Sequence, residues 1–195
     1  QFVEHVNTHL ANKLGNLASR TVTLVQKFFE GKVPSLWNPD ALVSDEAKVG
    51  FGALLAVAAT TATESPKAWE ELRINEALDQ VWNVVERANE FVDRSRPWDL
   101  AKDPARRAEL GTALNALLET LRLVAIWAWP TIPAKCEELW GVLGLPGTPG
   151  EKCGAAARPA FGPPNARTLG QPVILFPRID LKAAAGGATP SSPKA

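Results

Sequence analysis

Leu110-Gly111-Thr112-Ala113-Leu114-Asn115-Ala116-Leu117-Leu118-Glu119-Thr120-Leu121-Arg122-Leu123-Val124-Ala125 decides the fold class. Its leucines, with Ala113, Val124 and Ala125, recur at three and four positions, the spacing of one face of an α-helix. The pattern predicts a helix from about Pro104 to Ala128. Pro130 and Pro133 close it and open a shorter helix carrying Cys136, Leu139, Trp140 and Leu143. Gly144, Pro146, Gly147, Pro149 and Gly150 then end regular structure, so 144–172 reads as loop.

Working back toward the start, the same period recurs. Ser65-Pro66 is expected to open a third helix whose apolar side holds Trp69, Leu72, Ile74, Ala77, Leu78, Val81, Trp82, Val85, Ala88 and Val92. It should stop near Ser95, because a residue before proline is biased away from helical backbone and Arg96-Pro97-Trp98-Asp99 follows. Trp98 then sits at a corner. Ser44 with Asp45 and Glu46 caps a second helix through about Thr63, and Phe2 to Phe28 reads as one long amphipathic helix. Short connections between long helices favour antiparallel neighbours, so the expected fold is an all-α antiparallel bundle of about five helices. Residues 1–182 form the domain, with an apolar segment at 173–182 docking back on it; 183–195 holds mainly Ala, Gly, Ser and Pro and reads as a tail or linker.

The 195 residues carry 21 Lys+Arg and 21 Asp+Glu, so no whole-molecule field draws in nucleic acid or anionic membrane, and an anionic partner has to be met by a local patch. Methionine is absent and residue 1 is Gln, which suggests a processed or truncated chain. Gln1 to Arg20 has no compact apolar block of a secretory signal, and Phe51 to Ala62 is too short to span a bilayer. A cytoplasmic setting without membrane contact is expected. Cys136 and Cys153 have no Cys-x-x-Cys partner or His cluster, so two reduced thiols and no metal are expected.

Motifs of self-contained catalysis are missing from these residues: no phosphate-binding Gly-x-x-x-x-Gly-Lys loop, no dinucleotide fingerprint, no nucleophile elbow. His5 and His9 lie four apart but lack the adjacent Glu and third ligand of a zinc site. No catalytic residue is assigned. Two constellations remain. Asn16 and Arg20, one helical turn apart, offer an amide and a fork of donors on one face, a set able to read a base edge, although a solvated helix surface has the same spacing. Trp98, stiffened by Pro97, is either a stacking platform or another packed tryptophan.

Val6-Asn7-Thr8-His9-Leu10-Ala11-Asn12-Lys13-Leu14-Gly15-Asn16-Leu17-Ala18-Ser19-Arg20, Ala88-Asn89-Glu90-Phe91-Val92-Asp93, Arg96-Pro97-Trp98-Asp99-Leu100-Ala101-Lys102 and Leu175-Phe176-Pro177-Arg178-Ile179 together resemble the anticodon-binding domain of methionyl-tRNA synthetases. The resemblance covers about residues 1–182. It implies that Trp98 stacks on an anticodon base, that Asn16 and Arg20 recognise the first base, cytosine, of CAU, and that the partner is the anticodon loop of tRNA(Met). Asn89 and Asp93, one turn apart, are expected to orient Arg20 or accept from a base amine. The parent would be a class I methionine–tRNA ligase, whose N-terminal catalytic half, a further partner, uses ATP and methionine; no cofactor is expected in this chain.

There are departures from the family pattern. The His-x-Gly-His and Lys-Met-Ser-Lys-Ser signatures of the catalytic half are absent from these residues, so the fragment alone should be inactive. Phe91 stands where a Tyr is frequent. Net neutrality fits a reader that works by stacking and base-edge hydrogen bonds, with Lys13, Arg20, Arg94, Arg96 and Lys102 as local cations. The competing expectation is a helical protein-interaction module, marked by a broad surface patch formed by Trp69, Trp127, Trp129 or Trp140 with Trp98 buried.

Overall fold

A computed structural model of the chain describes residues 6–152 and 157–177, with side chains from residue 10 onward. Five α-helices longer than a single turn make up most of the described residues: α1 (Asn16–Phe29), α2 (Asp45–Glu70), α3 (Ile74–Ser95), α5 (Arg107–Trp127) and α6 (Pro133–Val142), with α4 (Pro97–Leu100) a single turn. They form the expected bundle. α2 and α3 pair as an antiparallel hairpin: the Thr61 hydroxyl donates to the Gln80 carbonyl at 3.2 Å and Ser65 to Ala77 at 3.4 Å, so positions climb on one helix as they fall on the other.

α5 is the centre of the core. Leu114, Leu117, Leu121, Leu123, Val124 and Ala125 are completely buried, each apolar side chain of that size contributing about 1.5–3 kcal/mol. The helix Pro104–Trp127 is long and apolar enough to cross a membrane by length and composition, and 89% of its most apolar stretch is buried inside the bundle. Its polar residues explain why the connection before α2 lies where it does. Asn115 donates to the carbonyls of Pro34 and Leu36, both at 2.8 Å, and Thr112 exchanges hydrogen bonds with the backbone of Asn38. Buried Glu109 accepts from Val43 N–H and pairs with Arg106.

Local structure departs from the sequence reading at two places. The first helix is not uniform: Val6–Gly15 winds as a π-helix before α1 begins. Apolar spacing over so few residues does not separate the two windings, and Gly15 allows the wider one, since a Cβ there would stand 3.2 Å from the Leu10 carbonyl oxygen. The second departure is at Pro66, which lies inside α2 instead of opening the next helix. Buried Ser65 and Ala68 hold the helix on its partner while Pro66 faces solvent, and the break comes at Leu72, whose φ of 58° is left-handed. Trp69 therefore belongs to α2, and Leu72 and Ile74, expected on the apolar side of the third helix, are exposed.

The described part of the C-terminal segment packs along the bundle. From Thr168 to Pro177 the chain runs back along α1: Leu169 N–H donates to Gly31 at 2.8 Å, Gln26 donates to the Gly170 carbonyl at 2.8 Å, and Phe176 reaches the start of α1 at Gly15. Leu175 is buried as its anchor. Arg178, Ile179 and the tail at 183–195 lie outside the described residues, as do Cys153 and the side chains of His5 and His9.

Candidate nucleic-acid interface

Arg96 makes the corner that the proline predicted. It adopts a left-handed φ of 44°, costing about 1–2 kcal/mol for a non-glycine residue, and Pro97 restarts the helix at α4. Asp99 N–H donates to the Arg96 carbonyl at 2.8 Å, and the Asp99 carboxylate holds both Arg96 and Lys102 at 2.7 Å. Those two cations keep the Asp99 carboxyl below the usual carboxylate range, chiefly through the hydrogen bond from Lys102. Trp98 is thereby carried on a rigid turn, half-buried, one side packed against the core.

The exposed side of Trp98 meets α1. The guanidinium carbon of Arg20 lies 5.3 Å from the indole ring centroid, and Arg20 also pairs with Asp93 on α3 at 3.3 Å. Three elements distant in sequence thus bring Arg20, Asp93 and Trp98 together. Asn16 stands on the same face of α1 one turn earlier; it is exposed, and its amide has no hydrogen-bond partner among the described residues. With Ser19 it lines a cleft of about 420 Å³ whose far wall is Leu175, Phe176 and Pro177. Asn89 donates to the carbonyls of Val85 at 2.9 Å and Lys13 at 3.4 Å, fastening α3 to the π-helical segment. Lys13 and Glu86, paired at 3.2 Å, support the same junction.

Phe91, one turn before Ser95, is fully buried and lies 5.8 Å from Phe51. A ring sealed in the core presents no group to a ligand. Sequence reasoning missed the aromatic wall at Phe176, because nothing in a linear pattern says that the C-terminal segment returns to Asn16. No group of three or more His, Cys, Asp or Glu suited to a metal ion occurs among the described residues. Of the tryptophans named for the interaction-module reading, Trp127 and Trp140 are 5% and 4% exposed and so form no surface patch, while Trp69 and Trp129 are half-buried.

Residues 53–157 match the family described as the anticodon-binding domain of tRNA ligase, slightly more than half of the chain. The chain belongs to that family. Methionine–tRNA ligases are similar to this anticodon-binding domain over nearly its whole length. That of Clostridium tetani is 36% identical over 186 residues, covering 93% of the chain and 26% of the relative, and that of Clostridium acetobutylicum is 33% identical over 181 residues, covering 92% and 26%. Among solved structures, the ligand-free methionyl-tRNA synthetase of Mycobacterium tuberculosis superimposes with a TM-score of 0.78 at 29% identity, covering 91% of the domain and 34% of that chain. The domain spans about a quarter of the length of the curated relatives it matches.

Proposed function

We propose that this anticodon-binding domain reads the first anticodon base of tRNA(Met), cytosine in CAU, as part of a methionine–tRNA ligase that consumes ATP and methionine through a catalytic half outside these residues. The observation that carries the reading is the convergence of Arg20 on the face of Trp98 and on Asp93, with Asn16 one turn away and open to solvent. An unstacked base finds an aromatic face, and its pairing edge finds a guanidinium fork and an amide. Cytosine offers two acceptors and one amine; uracil replaces one acceptor by a donor and leaves a guanidinium N–H without a partner. The sequence-based expectation of a cytoplasmic setting goes with this role.

Titration of the domain with anticodon stem-loops tests the proposal. CAU loops should bind more tightly than UAU loops, and Asn16→Ala or Arg20→Lys should bring the two affinities together, because lysine keeps the charge but loses the planar fork. Equal binding of CAU and UAU loops by the unaltered domain refutes the proposal.

A further inference from the structure

A cavity of about 420 Å³ that shares no residue with the Trp98 corner lies between α5 and the loop at 158–167. Asn115, Leu118, Glu119 and Arg122 of α5 line one side, and the loop closes it from Arg158 to Arg167. The loop has no regular structure, yet it is pinned to the helix at two points. Ala160 N–H donates to the Glu119 carboxylate at 2.7 Å, and Arg122 donates to the Arg158 carbonyl at 3.0 Å. At its far end Val33 N–H donates to the Arg167 carbonyl at 2.9 Å, and Arg167 Nε donates to the Leu143 carbonyl at 2.9 Å. Pro159, Pro163 and Pro164 fix φ between these ties, so the cavity is formed before any ligand arrives.

The charge of this cavity is positive. Glu119, the one carboxylate among its described lining residues, is taken up by Arg122 through two hydrogen bonds of 2.7 Å. Arg158 and Arg167 are left without an acidic partner among the described residues. Arg158 is exposed and Arg167 half-buried; burial pulls the Arg167 guanidinium below its ordinary value, a cost that a bound anion would offset. The buried end holds Asn115, 4% exposed. Its Nδ2 donates to the Pro34 and Leu36 carbonyls, both at 2.8 Å, which fixes the orientation of the amide and leaves Oδ1 buried without a donor. Two guanidiniums and one orphan acceptor form the recognition set for an oxyanion that also carries a hydrogen to donate. We propose that the Arg158–Arg167 cavity binds a phosphate, free or as the ester of a small sugar, with its charge on the two arginines and an O–H of the ligand donated to Asn115 Oδ1. The volume is within the range of small-molecule sites and admits either form. The site stands apart from the first-base reading, since the two have no residue in common.

Calorimetric titration of the 195-residue chain with three anions tests the proposal, in phosphate-free buffer at about pH 7.5, where each is mainly a dianion. Monohydrogen phosphate carries one O–H, ribose 5-phosphate carries the hydroxyls of its sugar, and sulfate carries none. Phosphate or ribose 5-phosphate should bind at least about fivefold more tightly than sulfate, the worth of one hydrogen bond to a buried acceptor, and the tighter of the two identifies the source of the phosphate. Arg158→Gln, at an exposed position, should weaken that ligand by about tenfold while the urea unfolding of the free chain and its CAU-over-UAU ratio stay as they were. Sulfate binding as tightly as the other two, no binding of any of the three, or an affinity unchanged in Arg158→Gln overturns the site. Each of those results leaves the anticodon reading standing, because the stem-loop titration tests that reading separately.

Discussion

Trp98→Ala separates a recognition role for the indole from a packing role. The ring is half-buried, so truncation removes only part of the roughly 3–5 kcal/mol that a fully buried Trp→Ala change costs. The contact with Arg20 at 5.3 Å adds about 0.5–1 kcal/mol at an exposed site. Unfolding in urea should therefore show a loss of about 1.5–2.5 kcal/mol, leaving a folded domain to assay. Binding should suffer separately. A base stacked on an aromatic ring is worth about 1–3 kcal/mol, so stem-loop affinity measured by fluorescence anisotropy should fall about 5- to 150-fold for CAU and UAU loops alike. Trp98→Phe keeps a stacking face and should recover part of the affinity. If Trp98→Ala costs more than about 3 kcal/mol of stability while stem-loop affinity is unchanged, the indole belongs to the core and the stacking argument is wrong.

Asp93→Asn removes the partner of an exposed ion pair, so stability measured by urea unfolding should change by less than about 1 kcal/mol while the CAU-over-UAU ratio falls, because Arg20 loses its orientation. Cys136 is buried and burial pushes its thiol up to about 12, so in a Cys153→Ser variant an aromatic disulfide reagent at pH 8 should leave the native domain unlabelled and label it fully once unfolded. The depressed Asp99 carboxyl contributes stability that is complete above its unfolded value near pH 4 and is lost as pH falls through the lower folded value. The difference in melting temperature between the unaltered domain and Asp99→Asn should accordingly shrink as pH is taken from about 6 to 2.

The helices were legible wherever one apolar face repeated without interruption, as in α5, and wherever a cap was written in side chains, as at Ser44, whose hydroxyl accepts from Ala47 N–H at 3.1 Å. They were least legible where tertiary packing outweighed a local preference. Pro66 reads as a helix opening, yet two buried neighbours pay its backbone cost and the chain turns at a leucine with no turn preference of its own. For the site, the motifs named Arg20, Asp93 and Trp98, and the fold brings those three together. The placement of Asn89 could not be read, because its partners are backbone carbonyls, which no sequence pattern distinguishes. Phe176 was illegible as a neighbour of Asn16 for a different reason: its place depends on the path of a returning segment.

The free domain holds Arg20 already satisfied, on the proposed reading a source of selectivity. Its guanidinium sits on the face of Trp98 and against Asp93, contacts worth together about 1–2 kcal/mol at exposed positions. A base taking that face of the indole has to displace the guanidinium and then re-engage it. Cytosine can do so, since its two acceptors meet the displaced donors in charge-assisted hydrogen bonds of about 1.5–3 kcal/mol. Uracil displaces the same contacts but turns an N–H toward the guanidinium, so the cost is borne without the return. A pre-occupied arginine thus penalises every base equally and compensates only the one whose edge it fits, which is how a chain with no net charge can choose between two pyrimidines without a strong pull on RNA in general.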